Sequence, residues 1–234
     1  MKYTVEPKIF ELNPELQFGI IIGRGLNNGE SSDSDAQQLK EAENKVRETI
    51  KAEELRMVPN IKEYREVMQK SGINPNRFPP STEAMVKRII KGSSLPNINA
   101  LVDLCNAVSL EKQISLGGHD LKDIHEDLSV RFSKGSEIFL PFGSTEVETV
   151  EENELIFTSG EAVQTRKWIW RQSELGKMTA DTKDVFFQLV GFDGEIESLM
   201  SAMDSVEKLV VDRFAGSCER FLVTKNQNSI EFEI

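Results

Sequence analysis

Between Ser34 and Leu110 the apolar residues of this chain recur at helical spacing, and from Ser115 onward they fall into short runs punctuated by glycine. That segregation constrains the fold more than any other feature. Helices gathered in one stretch and strands in another predict α+β architecture, because parallel βαβ units need the two to alternate. The first helical segment is expected to begin at Ser34, with Gln37 completing a capping box, and it carries Leu39, Ala42, Val46 and Ile50 along one stripe. A second starts at Pro59 and stops at Gly72. A third begins near Ser81, with Glu83 early and Lys87, Arg88 and Lys91 late, the order that complements the helix dipole. The fourth places Ile98, Leu101, Val102, Cys105 and Val108 at buried spacing, and Asn99, Asp103 and Asn106 on the opposite stripe.

The segment from Tyr3 to Leu26 reads as strands with a turn at Asn13-Pro14. Its Gly23-Arg24-Gly25 lacks the third glycine of a dinucleotide loop and leads into the polar run NNGESSDSD instead of a helix. After Ser115 the runs SLGGHD, LSVRF, SEIFLPFG, NELIFTSG, AVQTRKWIWRQ and DVFFQLVGF predict antiparallel sheet. Ile196, Leu199, Met200, Met203, Val206, Leu209, Val210 and Phe214 make the clearest amphipathic helix, and CERFLVTK and SIEFEI are expected to pair around the turn NQN. The length suits one large domain or two small ones, and a single domain over 1–234 is expected, with an N-terminal strand and helix part, about 1–58, packed on the core.

Lys and Arg total 28 against 39 Asp and Glu, a net charge of −11. Such a surface repels polyanions as a whole, which disfavours a non-specific nucleic-acid coat. It leaves room for a local basic face, since charges are screened beyond about 10 Å at 0.1 M salt. No apolar run approaches the roughly 20 residues of a membrane span, and MKYTVEPK has no signal-peptide core, so no membrane association and a cytoplasmic location are expected. Cys105 and Cys218 stand far apart, and His119 and His125 are the only histidines. No metal-spaced cluster is present, and neither metal nor cofactor is expected.

Three segments are candidates for chemistry. In RKWIWRQ a strand would put Arg166, Trp168 and Trp170 on one face and Lys167, Ile169 and Arg171 on the other. Aromatic rings beside cations suit a base, an aromatic side chain or a carboxylate, although tryptophans on one strand face more often pack a core. In GGHD the paired glycines permit close backbone approach, and His119 is either a reactive group or part of a turn built on Gly117, Gly118 and Asp120. Asn99, Asp103 and Asn106 either enter a pocket or cap loops and face water.

Taken in order, Ser81-x-Glu83-Ala84, Leu95-Pro96-x-Ile98-Asn99-x-Leu101-Val102-Asp103, Asn106 and Trp168-x-Trp170-Arg171-Gln172 resemble the B3/B4 domain family over nearly the whole chain. That domain occurs within the β subunit of phenylalanyl-tRNA synthetase and as free-standing proteins, and this chain resembles the latter. The resemblance implies a three-layered α+β fold with a β-sandwich of unusual topology. It also implies a pocket between the helix bearing Asn99 and the later strands. In the synthetase the related domain hydrolyses tyrosine wrongly attached to the phenylalanine tRNA, which needs a positioned water and oxyanion donors. The synthetase histidine expected three residues before Asp120 is replaced here by Gly117.

Two functions follow. The first is recognition of tRNA or aminoacyl-tRNA, with deacylation in trans as a possible activity. His119 would then be the general base, Asn99 and Arg171 would position substrate, Trp168 or Trp170 would contact its side chain or terminal base, and Asp103, Asn106 and Arg166 would complete the substrate-binding set. The second, prompted by the acidity, is a pocket for a free amino acid or similar metabolite without RNA. Both expect the segment bearing Trp168 and Trp170 to face the helix bearing Asn99 and Asp103 across a cleft.

Overall fold

The structure, a computed structural model, describes residues 1–233, with the backbone alone at Glu195, Ile196 and Glu197. The side chain of Ile196 and the terminal Ile234, both used in the sequence reading, therefore lie outside the described residues. Along the chain, β1 (Lys2–Val5), α1 (Pro7–Leu12) and β2 (Leu16–Arg24) precede the helices α2 (Asp33–Thr49), α3 (Pro59–Lys70), α4 (Ser81–Ile90) and α5 (Ala100–Lys112). The strand-rich part runs through β3 (Ser115–Asp120), β4 (Leu128–Phe132), β5 (Ile138–Phe139), β6 (Glu148–Thr149) and β7 (Leu155–Ser159). It continues with β8 (Ala162–Arg166), β9 (Arg171–Gln172) and β10 (Val185–Phe192). The chain then forms α6 (Ile196–Lys208), one π turn to Arg213, β11 (Ser217–Val223) and β12 (Ser229–Glu231).

These elements stack in three layers. An eight-stranded sheet in the order β12-β1-β4-β7-β8-β5-β6, with β9 on β8, faces a four-stranded sheet in the order β11-β2-β10-β3. Mixed pairing makes the first sheet irregular, because β1–β4 and β5–β8 are parallel while its other pairs are antiparallel. Alternation along β2 shows how the layers join: Phe18, Ile20 and Ile22 point between the sheets, and Ile21 points to the helices. On that helical side Gly19 and Gly191 leave space for α6. A Cβ at Gly19 would lie 2.5 Å from the Met203 sulfur, and one at Gly191 would lie 2.9 Å from the Leu199 Cβ. The outer helices share a further core, in which Leu39, Val46, Val86, Ile89 and Leu110 meet.

Several expectations are corrected. The first segment contains α1 as well as strands, since Pro7 opens a helix with its φ preset and no N–H to leave unpaired. The capping box of α2 is Ser32 with Asp35, not Ser34 with Gln37; the Ser32 Oγ accepts from Asp35 N and the Asp35 carboxylate accepts from Ser32 N. Pro80, not Ser81, occupies the N-cap of α4. RKWIWRQ is not one strand, because Lys167 and Trp168 sit at φ 47° and 66° and turn the chain between β8 and β9. CERFLVTK and SIEFEI pair with β2 and β1 in different sheets, and the Thr224–Gln227 bridge joins their ends.

One buried ion pair ties the helices to the turn before α4. Arg65 Nη1 donates to both Glu83 oxygens at 3.0 and 2.9 Å, and Nη2 donates to Asn76 Oδ1 at 2.7 Å. Removing one partner leaves an uncompensated charge in the interior. Arg65→Met is therefore expected to destabilise the protein by about 3 kcal/mol or more in urea unfolding, and adding Glu83→Met should recover much of that loss. Equal losses in the single and double variants would refute a charge-based cost.

Candidate functional site

A cleft of about 500 Å³ opens between the start of α5, strand β3, strand β9 and the loop 177–180. One wall is apolar, with Val102, Cys105, Leu116 and Met178, and exposed Ile98 and Phe142 stand at 53% and 48% accessibility on its lining. Asn106 and Gln172 supply neutral amides. Gly118 lets the Met178 sulfur lie against β3, since a Cβ there would come within 2.5 Å of it. Burial pushes the Cys105 thiol up to about 12, so it stays protonated and serves as wall, not nucleophile.

The mouth is held in place by asparagines. The Asn99 Oδ1 caps α5 by accepting from Val102 N at 3.1 Å, and its Nδ2 donates to Met178 O at 3.2 Å. Asn28 Nδ2 donates to Thr179 O at 2.8 Å, and its Oδ1 accepts from Leu101 N at 3.1 Å. Two loops distant in sequence are thus fastened to one helix terminus, whose backbone donors need partners in any case.

The residues predicted for the site divide sharply. Asn99 and Asn106 line the cleft. Asp103 does not: it is fully buried and accepts from Ser31 Oγ at 2.6 Å, Asn97 Nδ2 at 2.7 Å and Ile98 N at 2.9 Å, so its carboxylate organises the helix start. Trp168 is also fully buried, edge-on to Tyr64 at 6.0 Å. The left-handed turn explains this, since it swings Trp168 into the core between the sheets and leaves Trp170 half-buried against Phe78 at 4.8 Å. Arg166 is engaged by Glu154 at 3.0 and 2.9 Å and by Glu148 at 2.8 Å. Arg171 is exposed and does not line the cleft. The tryptophans therefore do not face α5, and the last residue of their segment, Gln172, reaches the cleft in their place.

His119 lies one residue beyond the cleft floor at Gly118. Its ring is 1% exposed and edge-on to Phe157 at 5.0 Å. Gln172 Nε2 donates to Gly118 O at 2.8 Å and stands 3.5 Å from His119 Nδ1. The ring therefore supports the amide that faces the cleft, and it has no surface of its own there. Sequence reasoning missed Gln172, Phe142 and Met178; the only signal was Gln172 at the end of the Trp-x-Trp-Arg-Gln motif.

The family model for the B3/4 domain matches residues 63–209, more than half of the chain. The chain belongs to the B3/4 domain family. An N-terminal fragment of the phenylalanyl-tRNA synthetase β-subunit from Pyrococcus horikoshii aligns with a TM-score of 0.45 and 14% identity, covering 94% of this chain and 53% of that one. The chain thus spans about half the length of that fragment. No curated protein matches it. All cleft-lining residues of this B3/4 domain except Glu30 fall inside the matched segment. Among the described residues no helix is long and apolar enough to cross a membrane.

Burial pulls the pKa of His119 in the B3/4 domain down from 6.5 to about 4, against the smaller opposing influence of the Gln164 side chain. The imidazole is thus neutral near pH 7 and shielded from the cleft, which corrects its assignment as the general base. Between 6.5 and about 4 the unfolded chain binds a proton that the folded protein does not. Stability from this group is therefore complete above the unfolded pKa and is lost as pH falls through that window. The stability of wild type minus that of His119→Gln, measured by urea unfolding at several pH values, should shrink steadily from pH 6.5 to 4. A constant difference would show that the ring is not buried as a neutral group.

Proposed function

We propose that this B3/4 domain protein recognises aminoacyl-tRNA, with the aminoacyl group seated in the cleft at α5. The charge placement in the cleft carries this reading. Glu30 and Lys177 are its only charged lining residues among the described residues. Lys177 is already paired with Glu174, whereas Glu30 makes no ion pair among the described residues. A ligand with an ammonium group and no free carboxylate fits that arrangement, and an esterified amino acid is such a ligand. The apolar wall would take its side chain, while Asn106 and Gln172 would meet its polar atoms.

Binding comes first in this proposal and hydrolysis second. Ester cleavage would rely on a water positioned by the amides, with His119 acting by holding Gln172 instead of by taking a proton. Any such activity should lack a pH–rate limb near 6.5, because the imidazole is uncharged there.

A second reading, a free amino acid without RNA, is favoured by one observation. The Lys177–Glu174 pair is partly exposed, at 42% and 24% for the two side chains, and an exposed pair is worth only about 0–1 kcal/mol. A ligand carboxylate could compete for that lysine.

Titrating charged and uncharged tRNA separates the readings. Charged tRNA should bind more tightly than uncharged, with the difference removed by Glu30→Gln. Asn106→Ala and Gln172→Ala should each weaken charged-tRNA binding by about 3- to 10-fold, the worth of one neutral hydrogen bond. Equal affinity for both forms, together with a thermal shift by free amino acids that Lys177→Ala abolishes, would replace the first reading with the second.

A further inference from the structure

On the other side of β9 from the cleft lies a cluster that the cleft does not use. The Phe78 and Trp170 rings meet edge to face, 4.8 Å apart and at 70°. Arg77 and Lys167 approach the Phe78 ring at 5.0 and 4.5 Å, and the Arg171 guanidinium stands 6.0 Å from the Trp170 ring. Both rings are half-buried, and both arginines are exposed.

Of the eleven arginines, Arg47, Arg65, Arg131, Arg166, Arg213 and Arg220 are paired with carboxylates. Arg24, Arg56, Arg77, Arg88 and Arg171 make no ion pair among the described residues, and of these five Arg77 and Arg171 are the two that stand against aromatic rings. Lys167 is the partly neutralised member, since its Nζ also meets Glu154 at 2.7 Å. Two unpaired guanidinium groups beside aromatic rings, on a protein of net charge −11, form a local positive surface.

The backbone is also strained at this point. Lys167 and Trp168 occupy the left-handed region in succession, at φ 47° and 66°, a conformation that non-glycine residues adopt at a cost. It is held by Lys167 N donating to Glu154 at 3.2 Å and Trp168 N donating to Leu155 O at 2.7 Å. Its effect is to send Trp168 inward while Lys167 and Trp170 reach Phe78.

We propose that Arg77, Phe78, Lys167, Trp170 and Arg171 form a docking platform for a single-stranded RNA end. Guanidinium planes and an aromatic edge suit unstacked bases, and the same cations suit the phosphates between them. Arg171 and Gln172 are consecutive on β9 and leave opposite sides of the strand, so platform and cleft are neighbours across one strand. The proposal rests on the aminoacyl-tRNA reading and adds the surface that would hold the nucleotides leading to the esterified end.

The test is titration of the full chain with a short single-stranded RNA oligonucleotide, followed by fluorescence anisotropy and by tryptophan emission, at several salt concentrations. Trp170 is one of only two tryptophans, and the other is buried, so stacking on it should quench the accessible emission. Arg77→Ala and Arg171→Ala, both exposed and expected to leave the melting temperature unchanged, should each lower the magnitude of the salt slope by about 0.7. Trp170→Ala should weaken binding by about tenfold. If charged tRNA binds in a Glu30-dependent manner while both arginine variants keep the wild-type affinity and slope, the platform is refuted and the cleft reading survives. A flat oligonucleotide titration beside arginine-dependent binding of poly-glutamate would refute it in favour of an acidic peptide.

Discussion

Strands β2 and β10 are buried on both faces, and the rest of the molecule is arranged around that requirement. Their ladder runs through eight residue pairs from Val185–Gly23 to Phe192–Leu16. A strand pair without a wet face needs an apolar layer on each side. The eight-stranded sheet supplies one layer, with Tyr3, Val130 and Phe157, and helices α5 and α6 supply the other. Because α6 lies over Gly19 and Gly191, the helical layer sits close to the sheet. β3 extends the same ladder, pairing with β10 from Ser115 to Asp120, and so its residues Leu116 and Gly118 reach the edge where α5 begins. The cleft is the gap left where that helix terminus meets the sheet edge.

Rigidity at the cleft comes from polar groups, each with a defined partner. Asp120 at the end of β3 accepts from Thr182 Oγ1 at 2.5 Å, and Asn99 and Asn28 fasten the neighbouring loop from the other side. Buried polar groups of this kind are costly unless paired, so pairing them fixes the loop geometry. The same logic removes His119 and Asp103 from direct chemistry. Both are required inside, one to support Gln172 and one to organise the start of α5.

The local signals were legible where a single residue type dictates conformation. Pro59 opened α3, and the stripe through Leu199, Met203, Val206 and Val210 is buried as its spacing predicted. Some failures were local, the capping box of α2 and the helix opened by Pro7 among them, and the others depended on distant partners or on backbone that non-glycine residues seldom adopt. Alternation along RKWIWRQ assumes continuous extended chain, and two left-handed residues reversed the outcome for both tryptophans. The closing strands looked like a hairpin because they are adjacent, yet they belong to different sheets whose partners lie near residue 20 and residue 3. Asn99 and Asn106 were visible as polar residues on one helix, but nothing local distinguishes a cap from a ligand contact. Gln172 was marked only as the end of the Trp-x-Trp-Arg-Gln motif, and its place in the cleft depends on β9 lying beside Gly118.

The central claim is that an aminoacyl group occupies the cleft at α5. Met178 lines it, while Met57 is 69% exposed elsewhere, and the chain has seven methionines in all. Methyl NMR of protein labelled at its methionines, recorded while a non-hydrolysable aminoacyl-adenosine is added, therefore addresses the claim directly. The account predicts a saturable shift of the Met178 methyl signal with Met57 unmoved. Binding detected by another readout while the Met178 signal stays in place would contradict it.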